Sequence, residues 1–169
     1  GIFKEYKNLE FFKKIQLFCS IIQMKYLFYS SDFHGLGHFM RNFKLAIFLS
    51  KHYRKSTFYL VSNKIFATDK LPQNIKLFLM PRLSLQRPRD IRSKDILPPE
   101  VNIWSNHLIE LITKIRPNVF YNDLHPNGGY GELRKIFPIF KKRKIKTMIG
   151  LRDILDNQAQ TLKEWMVND

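Results

Sequence analysis

Five short apolar runs, set apart by amphipathic or polar stretches, constrain this chain more than any other feature. They are "KYLFYS" (Lys25–Ser30), "STFYLVS" (Ser56–Ser62), "NIKLFLM" (Asn74–Met80), "NVFYND" (Asn118–Asp123) and "KTMIGL" (Lys146–Leu151). Each has strand length, and most are apolar on both faces, as in a strand buried between two layers. Helical spacing lies between them. Phe39, Phe43, Ala46, Ile47 and Leu49 recur at such intervals after His38. Ile103, Leu108, Leu111, Ile112 and Ile115 do so across Glu100–Ile115, which Pro117 stops. Gly131–Arg143 reads as a further helix that Pro138 kinks or ends early. Asn157–Val167 reads as a last helix, capped by Asp156 or Asn157. This alternation predicts an α/β fold: a Rossmann-like, doubly wound parallel sheet with helices on both sides.

The chain of 169 residues suffices for one domain with a core, and that domain is read from Met24 onward, with residues 1–23 as an amino-terminal extension. A hydrophobic content of 44% with 25% charge excludes a disordered chain. Twenty-nine Lys and Arg against 14 Asp and Glu give a net charge of +15, which favours an anionic partner. The lone Cys19 excludes an internal disulfide framework and a cysteine zinc cluster. No apolar run reaches the roughly 18 residues of a spanning helix. The segment "IQLFCSII" (Ile15–Ile22) lacks the small-residue cleavage site of a signal peptide. The expected location is cytoplasmic.

In open parallel sheets, ligands bind beyond the carboxyl ends of the strands, where the strand order reverses. For the common order 3-2-1-4-5, the loops after the first and fourth strands meet there. These are "SDFHGLGH" and "DLHPNGG", so Asp32, His34, His38, Asp123 and His125 are expected in one crevice, with Arg152 and Asp153 approaching from beside it. Arg41 follows His38 by three and shares its helix face, where it can meet an anion. Gly128, Gly129 and Gly131 serve a turn, and Glu132 reads as a first-turn acid favoured by the helix dipole. The long polar stretch Arg82–Pro99, with Arg82, Arg87, Arg89 and Arg92, is of a length often given to functional loops.

Several familiar chemistries do not fit. A dinucleotide fingerprint needs a third glycine where Met40 stands, and an acidic residue in "VSNK" (Val61–Lys64), which has none. There is no Gly-Lys followed by Ser or Thr for a phosphate loop, and no G-x-S-x-G nucleophile elbow. A metal site could use His34 and His38 with Asp32 or Asp123. Gly35 and Gly37 between the histidines argue against a regular helix presenting both.

Three segments in order carry a resemblance: "GLGHFMRNFKLA" after the first strand, "RPNVFYNDLHPNGGYGELRKIF" in the middle, and "GLRDILD" after the fifth strand. From Met24 to about Trp165 the chain resembles predicted glycosyltransferases related to the bacterial peptidoglycan enzyme that adds N-acetylglucosamine to a lipid-linked muramyl-pentapeptide. The resemblance implies the amino-terminal, acceptor-side half of a GT-B architecture, with the donor domain absent from this chain. It implies no cofactor. The partners are a nucleotide-sugar donor, used as substrate, and a glycan or lipid-linked acceptor, with peripheral contact at the inner face of the cell membrane.

On this resemblance His38 falls on the histidine that closes the glycine loop, a general base or a group near the donor phosphates. Gly35 and Gly37 fall on loop glycines that let a ligand approach the backbone. From the chemistry alone, Asp32 or Asp123 could orient the His38 ring or serve as the base instead. His34, Arg41, His125, Arg152 and Asp153 are substrate-binding candidates. Two other readings stay open. One is a metal-dependent hydrolase using His34, His38 and Asp123. The other is a non-catalytic basic module that binds nucleic acid or anionic membrane through Lys141–Lys146 and the loop arginines. The glycosyltransferase reading expects no nucleic-acid partner.

Overall fold

The computed structural model describes residues 23–30, 37–63, 71–81, 97–123 and 125–150. The amino-terminal extension, Asp32, His34, Gly35, the arginines of the long loop, Arg152, Asp153 and the last expected helix lie outside the described residues.

The elements run β1 (Lys25–Tyr29), α1 (Gly37–His52), β2 (Thr57–Ser62), β3 (Ile75–Leu79), α2 (Pro99–Ile115), β4 (Val119–Asp123), α3 (Phe137–Arg143) and β5 (Lys146–Gly150). All five strands are parallel, in the order β3-β2-β1-β4-β5. The fold is therefore α/β and compatible with a Rossmann-like domain. β1 is central because it is apolar on both faces, with Leu27, Phe28 and Tyr29 all buried.

Side chains alternate across a strand, so each central strand feeds two cores. On one face Phe28, Phe58, Leu60 and Ile75 pack with Phe39 and Ala46 of α1. On the other, Leu27, Tyr29, Tyr59, Val61 and Phe120 pack with Trp104, Leu108 and Ile112 of α2 and Phe140 of α3. Tyr29 meets Trp104 edge-on with ring centres 6.2 Å apart. Helices thus cover both faces of the sheet.

Two expectations are corrected. Ile103 does not share the buried face of α2 and is 55% exposed. The buried stripe is Val101, Trp104, Leu108, Ile112 and Ile115, whose steps of three and four leave Ile103 on the far side. The helix expected over Gly131–Arg143 forms only as α3, after a series of turns through residues 132–136. Pro138 starts this helix rather than breaking it, since a residue without an N–H is tolerated in the first turn. Lys146, Thr147, Met148 and Ile149 of β5 are exposed, unlike the buried central strands. β5 is an end strand of the described sheet, paired on one side only.

Candidate functional site

The carboxyl ends of β1 and β4 lie side by side, with Tyr29 of β1 in register with Asn122 of β4. Asp123 is the last residue of β4. α1 is fixed over this point in two ways. Phe39 and Ala46 are buried against the sheet, and the buried Asn42 donates its amide N–H to the Tyr29 carbonyl oxygen at 3.0 Å. Residues three apart share a helix face, so His38 and Arg41 both reach Asp123. His38 Nδ1 lies 2.9 Å from Asp123 Oδ2, and Arg41 donates to Asp123 Oδ1 at 2.9 Å. The carboxylate is fully buried, while the imidazole and the guanidinium keep 20% and 37% of their surface exposed.

The geometry dictates what these groups can do. A carboxylate only accepts hydrogen bonds, so Nδ1 of His38 is the donor to Asp123, and a neutral ring in that tautomer presents Nε2 as an acceptor. Asp123 therefore orients the imidazole. Arg41 spends one N–H on Asp123, and a guanidinium has further donors in a fixed plane suited to phosphate oxygens. The imidazole and the guanidinium stand together at the carboxyl end of the sheet, where open α/β folds bind ligands.

Two residues that sequence reasoning did not single out complete the surroundings. Tyr121 lies two residues before Asp123 in β4 and so on the same face. Its hydroxyl is pushed above the ordinary tyrosine range, first by burial and then by the Asp123 charge, with Arg41 pulling the other way. Gly150 pairs with Asp123 across β4 and β5. A side chain at Gly150 would overlap the Tyr121 hydroxyl and come within 3.1 Å of Asp123 Oδ1. The absent Cβ makes room for the phenol beside the carboxylate. The period of two in "FYND" was the signal available for Tyr121; nothing local marks Gly150.

Gly37 opens α1 and is exposed, and a Cβ there would meet nothing within 4 Å. His125 is buried, with both ring nitrogens shut off from solvent. Its carbonyl oxygen accepts from the Asn122 side chain. Glu132 is also corrected. It is no first-turn surface acid: it is fully buried and accepts from the Tyr29 hydroxyl at 2.5 Å and from the backbone N–H groups of Gly129 and Tyr130 at 2.9 and 2.6 Å. Burial raises its pKa, against the pull of these hydrogen bonds. Glu132 thus anchors the glycine turn after β4 from inside.

Among the described residues no three His, Cys, Asp or Glu side chains converge as metal ligands would, and no helix is long and apolar enough to cross a membrane. No protein-family model and no curated protein matches the chain.

Proposed function

We propose that this chain is the acceptor-side domain of a GT-B glycosyltransferase whose nucleotide-sugar donor is held mainly by a second domain. The observation that carries the reading is the His38–Asp123–Arg41 cluster at the carboxyl end of the sheet. The segment order "GLGHFMRNFKLA", "GELRKIF" and "GLRDILD" supports it. Fold alone would not, because parallel α/β sheets host many activities.

Glycosyl transfer needs a group to take the acceptor hydroxyl proton and positive charge near the leaving diphosphate. His38 Nε2, oriented by Asp123, is the base. The acceptor oxygen bonds to the anomeric carbon, the bond from that carbon to the diphosphate oxygen breaks, and the electron pair leaves with the diphosphate. Arg41 stands beside the base and stabilises the anionic end of the reaction. The proposed location is the cytoplasm, with a lipid-linked acceptor bringing the domain to the membrane surface.

The test is nucleoside diphosphate release from a panel of nucleotide sugars by the full reading frame that encodes this chain. Wild-type turnover, falling about 10²–10⁴-fold in His38→Ala, is the expected result. A folded protein that releases no nucleoside diphosphate from any of them overturns the reading.

A further inference from the structure

We infer a second binding site, for a phosphate group, at the end of the sheet away from Asp123. A cavity of about 420 Å³ lies between the turn after α1 and the turn before β3. Arg54, Lys55 and Lys76 line it together with Ser50, Thr57 and Asn74, and among the described residues no carboxylate does. Among the described residues none of the three cations forms an ion pair. This site stands independently of the glycosyltransferase reading. Lys76 is the second residue of β3 and Asp123 the last of β4, which sets the two about 10–15 Å apart along the strand direction at 3.3 Å per residue.

The walls are fixed rather than loose. Asn74 donates its amide to the carbonyl oxygens of Ser50 and Ser56, both at 3.2 Å, and so ties the end of α1 to the starts of β2 and β3. Ser56 N–H closes its turn on the Tyr53 carbonyl at 3.0 Å, and Ile75 N–H closes the next on Pro72 at 2.9 Å. The three like charges repel one another and concentrate positive potential in the cavity, most of it from Arg54 and Lys55, because the Lys76 ammonium lies 5.9 Å from the centre of the Tyr59 ring. A bound dianion relieves both.

The helix dipole does not account for the grouping. It accounts for Lys51 and His52 in the last turn of α1. Arg54 and Lys55 come after that helix, and Lys76 comes from a strand at the sheet's edge. The cavity has room for a phosphate with a small organic group attached. The ligand class is a phosphate monoester, from either a soluble metabolite or a lipid headgroup.

Calorimetric titration with glycerol 3-phosphate, against sodium chloride at matched ionic strength, tests the soluble source. Co-sedimentation with phosphatidylcholine vesicles, with and without phosphatidic acid, tests the lipid source. The variants are Lys55→Gln/Lys76→Gln and, as a cation outside the cavity, Arg143→Gln. Saturable one-to-one binding of glycerol 3-phosphate, weakened about tenfold or more in the double variant and unchanged in Arg143→Gln, supports the site with a soluble ligand. Binding to phosphatidic acid vesicles alone, with the same variant pattern, supports it with a lipid ligand. No binding above the chloride and phosphatidylcholine backgrounds overturns it. So does binding that survives the double variant or falls equally in Arg143→Gln.

Discussion

At Asp123 a single buried carboxylate holds two partners from one helix, and both are partly open to solvent. Replacing it with asparagine puts an amide where two donors converge. One of His38 and Arg41 then faces an N–H, and the histidine proton is no longer confined to Nδ1. Asp123→Asn should cost about 1–3 kcal/mol in chemical denaturation and abolish the activity attributed to His38. A ¹⁵N spectrum of the imidazole would show the tautomer change directly. Gly37 offers the opposite case. Since a Cβ there meets nothing within 4 Å, the folded domain itself does not require glycine. Gly37→Ala should leave stability unchanged or raise it by up to about 1 kcal/mol. A loss of turnover without a loss of stability would then mean that a ligand approaches the backbone at this point. A loss of neither would remove Gly37 from the site.

At the level of elements, the turn between β4 and α3 is organised around a fully buried acid. The Glu132 pKa is raised by burial, so the folded state holds the proton more tightly than the unfolded chain does. Its contribution to stability is therefore complete below the ordinary carboxylate range and is lost as pH rises through the raised value. Urea midpoints of the wild type should fall across that window, by no more than about 1.4 kcal/mol per pH unit. In Glu132→Gln the slope should vanish while stability drops at every pH. A wild-type midpoint that does not fall across this window would contradict the assignment. Glu132 also shows where sequence reading ends. "GGYGELRKIF" has the local marks of a helix start, but the partner that decides its role is Tyr29, 103 residues away. By contrast, α2 was legible nearly to the residue, because Pro99 and Pro117 bracket it. What its spacing left open was which apolar residue faces water. Ile103 fits the composition of the core but not the angle.

Across the whole molecule, the strand runs and their parallel pairing were readable because each run is short, apolar and bounded by polar residues. The order of strands was an assumption, and the exposure of β5 could not be seen without it, since an edge exists only once neighbours are assigned. The meeting of His38 with Asp123, 85 residues apart, follows from that same order. Charge is a property of the same scale. With a net charge of +15 the folded chain repels itself, and added salt screens that repulsion. Raising sodium chloride from about 0.01 M, where the screening length is about 30 Å, to 0.15 M should raise the melting temperature by roughly 2–4 °C, the equivalent of about 1 kcal/mol. A fall in melting temperature would mean that attractive pairs dominate instead. The Asn42 bond to the Tyr29 carbonyl has a consequence for how such a domain changes over generations. The helix that carries His38 and Arg41 is moored to the sheet, so substitutions on its exposed face, at Met40 or Phe48, can accumulate without moving either side chain off Asp123.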